Sequence, residues 1–441
     1  MMDGRAVHEE PAGEESPPVP RGRRREWEET REMAKSEIVV GLDIGTTKIC
    51  VVVGEVTPEG GVDIVGIGTS PSTGLRKGVV VKIEQTVQSI QKALEEAELM
   101  AGCEIRSVYA GIAGSHVKGF NSHGVIAIKD GEVTPKDVER AMDAARAIAI
   151  PLDREVLHTL PQEYIVDEQH GIVDPLGMSG VRLEVHVHIV TGAVTSAQNL
   201  VRSCQRAGLD VSDIVLESLA SAKAVLTQEE RELGVALVDV GGGTTDIAIL
   251  HNDAIRYTGA LPLGGQNLTN DIAYGLRTPM LSAEEIKIKH GCALVDMVRP
   301  DQVIEVPSVG GREARPLSRQ ILAEICQPRM VEILSLVDLE LTRSGYKNLA
   351  AAGVVLTGGT ALMEGCQELG EEIFNLPTRV GYPRSVGGLR DVVNSPKYAT
   401  AVGLLCYGAE KEGAPDTFRI RDTNLFNRVY TRMKKWFADI S

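Results

Sequence analysis

The feature that most limits what this chain can fold into is a segment that occurs twice. Ile38-Val39-Val40-Gly41-Leu42-Asp43-Ile44 runs into Gly45-Thr46-Thr47-Lys48 and then a second apolar run, Ile49 to Val53. Val235-Ala236-Leu237-Val238-Asp239-Val240 runs into Gly241-Gly242-Gly243-Thr244-Thr245-Asp246 and then Ile247 to Leu250. Each is a buried strand ending in Asp, a turn of small residues bearing two threonines, and a second strand. Two copies about two hundred residues apart imply duplicated halves. The length of 441 residues, several times the ~100–150 of a single domain, suits a two-lobed molecule.

The residue types in these turns suit a polyphosphate. Such a ligand needs clustered backbone N–H donors, residues small enough for close approach, and a metal held by carboxylates. Gly45, Thr46 and Thr47 in one turn and Gly241, Gly242, Gly243, Thr244 and Thr245 in the other supply the cradle. Lys48 adds a point charge for a phosphate. Asp43 and Asp239 would hold Mg²⁺, through waters because Mg²⁺ dehydrates reluctantly. One such hairpin alone is often only a tight turn; facing pairs would grip a nucleotide from two sides. A third glycine motif follows strand Gly353 to Leu356 as Thr357-Gly358-Gly359-Thr360, where a planar base could lie against backbone. Before it, Ser282 and Glu285 read as a capping box on a helix whose Glu284 and Lys287 share one face and could bond a ribose. The plainer reading of that pair is a solvent-facing ion pair. No G-x-x-x-x-G-K-[ST] occurs, and Gly66-Ile67-Gly68 lacks the third glycine of a dinucleotide fingerprint.

Around these motifs the pattern is α/β. Strands are expected at Ile38 to Leu42, Ile49 to Val56 and Val62 to Ile67, a helix over Glu84 to Ala101 with Gly102 as its cap, and a strand over Ser107 to Ala113. From Ser115 to Thr191 the order changes to a strand near Gly124 to Ile128, a helix from Pro135 capped by Thr134 and Asp137, and strands near Glu155 to Leu160 and Val181 to Val190. That strand-helix-strand-strand order reads as an inserted subdomain. A helix at Ser196 to Ala207, a strand at Ile214 to Leu216 and a helix from Ser218 resume the α/β pattern. His186 and His188 share one strand face and read as exposed strand histidines, with no third metal ligand nearby.

Composition removes several functions. A net charge of −15 repels nucleic-acid phosphates unless basic groups are locally segregated, so a general nucleic-acid binder is not the expectation. The seven cysteines are odd in number and widely spaced, which gives neither a disulfide framework nor a zinc motif and fits a reducing cytoplasm. Nothing reaches the ~18 consecutive apolar residues of a spanning helix, and the N-terminus has no signal-peptide core, so the expectation is neither secreted nor transmembrane. Residues 1 to 36 carry nine acids and seven bases and few large apolar groups, the signature of a disordered extension. At the other end, Leu425, Phe426, Val429, Tyr430, Met433, Trp436, Phe437 and Ile440 fall along one helical face, with Arg428, Arg432 and Lys435 on its flank. Asn424 to Ser441 therefore reads as an amphipathic helix for an anionic membrane surface, rather than one docked on its own body.

Together, the two Asp-Gly-Thr hairpins and Leu356-Thr357-Gly358-Gly359-Thr360 resemble the two phosphate motifs and the adenosine motif of the superfamily of actin, sugar kinases and heat-shock chaperone ATPases. The runs Leu157-His158-Thr159-Leu160-Pro161-Gln162-Glu163-Tyr164, Lys289-His290-Gly291-Cys292-Ala293-Leu294 and Val306-Pro307-Ser308-Val309-Gly310-Gly311-Arg312 are similar to the FtsA family of bacterial cell-division proteins. The resemblance implies an actin-like two-lobed fold of duplicated ribonuclease H-like halves with the inserted subdomain. It divides the chain into a first lobe (37–114 and 192–233), the insert (115–191), a second lobe (234–266 and 342–410) with its own inserted subdomain (267–341), a linker (411–423) and the tail (424–441). It further implies ATP and Mg²⁺ between the lobes, with Glu217 placed to orient an attacking water and hydrolysis slow at most. Such proteins form protofilaments, tether the FtsZ ring to the cytoplasmic face of the inner membrane at the division septum, and recruit later division proteins. Arg312 and Arg319, in 267–341, are by analogy candidates for the acidic FtsZ peptide. The alternatives are a sugar kinase of the same superfamily or an FtsA-like pilus-assembly ATPase.

Overall fold

The computed structural model describes residues 37–58, 60–310 and 312–413. The charged extension and the amphipathic tail expected from the sequence lie outside the described residues.

The first half is built on β1 (Ile38–Ile44), β2 (Lys48–Val56), β3 (Val62–Pro71), α1 (Ile83–Ala101) and β4 (Ser107–Ile112). Residues Val39 to Ile44 and Ile49 to Val53 are all buried, as uninterrupted apolar runs require of central strands covered on both faces. The repeated turn closes through a hydrogen bond from Gly45 N–H to the Lys48 carbonyl (3.1 Å). Along α1, Val87, Ile90, Leu94 and Ala97 form the buried stripe, and Gly102 ends it at φ 67° with its N–H on the Glu98 carbonyl. The helix lies on bare backbone: a Cβ at Gly68 would stand 1.9 Å from the Ala93 carbonyl oxygen.

The insert contains β5 (Lys118–Ala127), α2 (Pro135–Arg146), β6 (Arg154–Val166), β7 (Gln169–Ile172) and β8 (Arg182–Ala193). Its sheet runs β5-β8-β6-β7. Both halves of the capping box at Thr134 and Asp137 are made. The strands are longer than expected, and β7, a four-residue hairpin partner of β6, had no apolar alternation to announce it. The chain then returns through α3 (Val194–Arg206), β9 (Asp210–Leu216) and α4 (Glu217–Val225). β9 completes one edge of the first sheet beside β4.

The second half repeats the first. β10 (Val235–Val240), β11 (Thr245–His251) and β12 (Ala254–Leu261) pair antiparallel in sequence order, and β10 pairs in parallel with a strand later in the chain, Val354–Thr357, as β1 does with β4. Between them come α5 (Gly265–Leu276), α6 (Met280–His290), the hairpin β13 (Val303–Val306) and β14 (Arg315–Ser318), and α7 (Arg319–Arg343). Then follow β15 (Val354–Thr357), α8 (Cys366–Phe374) and β16 (Thr378–Val380), giving the sheet order β12-β11-β10-β15-β16. Helix α6 corrects the sequence reading. It starts at Met280 behind Pro279, whose ring fixes φ at −58°, so Ser282 lies within the first turn and caps nothing.

The last segment leaves the second sheet, where the sequence reading kept it. β17 (Gly387–Gly388) pairs with β3, and α9 (Ala399–Gly413) packs on β1, β2 and α4. Gly41 and Gly403 make this possible, since Cβ atoms there would meet the Ala401 and Ala220 carbonyl oxygens at 2.5 and 1.8 Å. One apolar core, with Val52 and Cys50 from the first sheet, Leu237 and Ala248 from the second, and Ala222, Val225, Leu404 and Leu405 from α4 and α9, therefore fills the space between the two sheets. Among the described residues no helix is long and apolar enough to cross a membrane.

Candidate functional site between the two hairpins

The repeated turns meet face to face. A Cβ on Gly242 would lie 1.9 Å from the Thr47 hydroxyl oxygen, and one on Gly243 2.5 Å from that of Thr46. Only hydrogen side chains permit that approach. The second turn closes as the first does, with Gly241 N–H donating to the Thr244 carbonyl (2.9 Å). Thr46 is fixed by accepting from Gly78 N–H (3.0 Å). Thr245 turns its hydroxyl away, to the Leu263 carbonyl (2.9 Å).

The other motifs gather on the second turn. The Gly241 carbonyl accepts from Gly265 N–H (2.9 Å) and from the Thr360 hydroxyl (3.1 Å), and the Gly242 carbonyl accepts from Gln266 N–H (2.8 Å). The start of α5 is thereby tied to the hairpin, and the third glycine motif to both. Gly358 has φ 86°, a left-handed conformation, and a Cβ there would be 2.4 Å from Asp239 Oδ1. Gly359 faces more open space. The Glu284–Lys287 pair is no loose surface contact. Lys287 Nζ donates to Glu284 (2.8 Å), to the Thr269 hydroxyl (3.0 Å) and to the Gly265 carbonyl (3.1 Å), which sets the pair beside Gly265 and Thr360.

Asp43, Asp239 and Glu217 feel the ammonium of Lys48 across this site, and Asp246 lies beside Asp239. Burial pushes Asp43 up, against the pull of Lys48. Burial lifts Asp239 to about 6, although Ser221 (2.6 Å) and Thr400 (3.3 Å) donate hydroxyl hydrogen bonds to its Oδ2. Asp246 is pushed to about 7 by burial and by the Asp239 charge. Glu217, at the start of α4, rises well above the usual carboxylate range through burial and the charges of Asp43, Asp246 and Asp239. Burial works against the Lys48 ammonium too, but the neighbouring Cys50, Asp43 and Tyr398 outweigh it and hold its pKa up. Lys48 Nζ is 3.8 Å from Asp43 and has no hydrogen-bond partner although it is buried.

That arrangement has too much negative charge for its cations and one buried ammonium with three unused N–H groups. An anion with acceptor oxygens beside Lys48, and a cation beside the carboxylates, would each relieve a cost. Among the described residues no three His, Cys, Asp or Glu side chains converge as a ready metal centre. A divalent ion between Asp43 and Asp239 would therefore need oxygens from water or from the anion, which suits Mg²⁺.

Sequence reasoning missed Ser221, Thr400, Asp246 and Tyr398. Asp246 ends the repeated motif and could have been included; the others reach the site from α4, from the turn before α9 and from the first turn of α9, which nothing local signals. Arg319 is engaged inside the fold. It donates to the His290 carbonyl (2.9 Å) and Gln302 Oε1 (3.1 Å) and pairs with Glu364, whereas Arg312 is exposed. His188 is also a correction: it is 1% exposed, because its side chain lies between the insert and β12. Its ring bonds Asn121 Oδ1 (2.6 Å) and the Thr258 hydroxyl (2.9 Å).

Residues 236–403 match the family model described as cell division protein FtsA, and residues 114–191 match that of the SHS2 domain inserted in FtsA. The chain is 55% identical over 405 residues to the cell division protein FtsA of Pseudomonas aeruginosa, covering 91% of this chain and 97% of that one. It is 46% identical over 381 residues to FtsA of Escherichia coli K12, covering 85% and 91%. With FtsA of Bacillus subtilis it shares 39% over 393 residues, covering 88% of each. Among solved structures, the fold is similar to a chain of the PilM-PilN type IV pilus biogenesis complex, with a TM-score of 0.60 at 18% identity over 84% of this chain and 98% of that one. It is also similar to MreB 5 of Spiroplasma citri bound to AMPPNP, with a TM-score of 0.50 at 15% identity over 86% of this chain and 98% of that one.

Proposed function

The chain belongs to the FtsA family of cell division proteins, and from that premise we propose that it binds ATP with Mg²⁺ between its facing hairpins and works as a membrane-bound, filament-forming anchor for the FtsZ ring. The observation that carries the nucleotide assignment is Lys48 Nζ, buried without a hydrogen-bond partner at the end of the turn whose Thr46 and Thr47 face Gly243 and Gly242. Likeness at 18% to the pilus protein concerns the fold alone, and neither that reading nor a sugar kinase has an observation of its own in the cleft.

In this reading Lys48 meets the phosphates from the first lobe, and the second turn offers backbone and the Thr244 side chain from the other. Gly358, Gly359 and Thr360 receive the base, while the Glu284–Lys287 pair stands by the ribose. Asp43 and Asp239 would hold Mg²⁺, the latter steered by Ser221 and Thr400. The ion's contribution would be to neutralise phosphate charge that Lys48 leaves unbalanced. Glu217, raised in pKa by burial and then by the charges of its neighbours, is the candidate for orienting a water toward the terminal phosphate.

Titration calorimetry tests the site. Wild type should bind MgATP, and Asp239→Ala and Lys48→Ala should each bind it about tenfold more weakly or worse, a loss of about 1.4 kcal/mol or more. Equal affinity in all three would remove the assignment.

A further inference from the structure

Lys48 is held by more than its own hairpin. Tyr398 closes the short turn Pro396–Tyr398 that leads into α9. Its ring centroid lies 4.8 Å from Lys48 Nζ and 4.7 Å from Lys397 Nζ. Two residues on, Thr400 donates to Asp239 Oδ2. The same short segment thus touches the lysine of the first hairpin and the aspartate of the second, and Thr357 beside the third glycine motif anchors it by donating to the Pro396 carbonyl (3.5 Å).

The chemistry of that contact matters. A buried ammonium needs compensation, and the carboxylate of Asp43, at 3.8 Å, is beyond hydrogen-bond reach. An aromatic face attracts a cation through its quadrupole without taking up N–H groups in directed hydrogen bonds to oxygen. Tyr398 therefore stabilises the charge while leaving its donors available, which a closer carboxylate would not do.

We propose that Tyr398 is a positioning residue of the nucleotide site: its ring seats the Lys48 ammonium so that its N–H groups are free for phosphate oxygens. The inference rests on the ATP reading above and adds a residue from the end of the fold to it. The ring, not the hydroxyl, carries the role, so Tyr398→Phe and Tyr398→Leu separate it from simple packing.

The test is binding of MgATP and of adenosine to the full-length chain by calorimetry. Tyr398→Phe should stay within twofold of wild type for both ligands. Tyr398→Leu should lose about tenfold for MgATP and nothing for adenosine, which has no phosphate for Lys48 to meet. In a Lys48→Met background the leucine change should add no further loss. Should Tyr398→Leu fold poorly by circular dichroism, Tyr398→Met fills similar space and replaces it. The inference is overturned if the leucine or methionine variant matches wild type for MgATP, if ATP and adenosine weaken alike, or if the loss persists undiminished on Lys48→Met. A folded wild type that bound adenosine and MgATP equally would overturn the phosphate assignment of Lys48 itself, and a wild type that bound neither would overturn the ATP reading; in either case this inference falls with it.

Discussion

At the scale of single residues, His188 is where a polar side chain was placed on the wrong side of the surface by its sequence pattern. Alternation along β8 puts His186 and His188 on one face, and a face with histidines at two successive positions reads as wet. The structure covers that face at His188 with β12, leaving the imidazole between Asn121 and Thr258. Burial drives its pKa down to about 4. An unfolded histidine titrates near 6.5, so between those values the unfolded chain binds a proton that the folded chain refuses. His188 therefore favours the fold fully above about pH 6.5, and the benefit is lost as pH falls toward 4. Between pH 7.5 and 5 this single group should remove about 2 kcal/mol of stability. Urea titrations at both pH values check it: His188→Gln should lose that much less than wild type across the interval, and identical losses would clear His188 of the effect.

At the scale of elements, the hairpin β13–β14 and the start of α7 show why two arginines of one segment have different fates. Arg312 projects from the connection between the two strands, while Arg319, the first residue of α7, is pinned by the His290 carbonyl, Gln302 and Glu364. Arg312→Glu should leave the melting temperature unchanged and weaken binding of an acidic FtsZ C-terminal peptide, with the difference shrinking as salt is raised. Arg319→Glu should instead cost stability, on the order of 2–4 kcal/mol, because it strands a carbonyl and sets a carboxylate against Glu364. Fluorescence anisotropy with a labelled peptide and thermal melts of both variants decide it; unaltered peptide affinity in Arg312→Glu would take that arginine out of the interface. The glycines of α9 and β1 act at the same scale. Gly403 and Gly41 set how closely the last helix approaches α4 and the first sheet, and so how near Tyr398 and Thr400 come to the two hairpins.

At the scale of the whole molecule, the proposed anchoring role rests on the segment Asn424–Ser441, outside the described residues. Each basic group on its flank would add roughly 1 kcal/mol toward anionic lipid beyond apolar insertion. Deleting the segment, or changing Trp436→Glu with Phe437→Glu, should leave MgATP binding intact and keep the protein in the supernatant with anionic vesicles. Co-sedimentation at wild-type levels would show that another surface does the anchoring. Much of this molecule is legible in its residues. The repeated Asp-Gly-Thr hairpins, the Gly358-Gly359 turn and the Thr134 capping box each have a local reason for their residues, so the duplicated α/β halves, the insert and the residues of both turns follow from local pattern. Which surfaces meet is settled by packing between elements distant in the chain. Period 2 or 3.6 reports that a face is covered, never by what, so neither the return of α9 to the first sheet nor the burial of His188 under β12 could be read from spacing. The same holds at the site, where Asp239 is steered by Thr400, 161 residues away in the chain, and Lys48 by a tyrosine that only the packing of the last helix brings within reach.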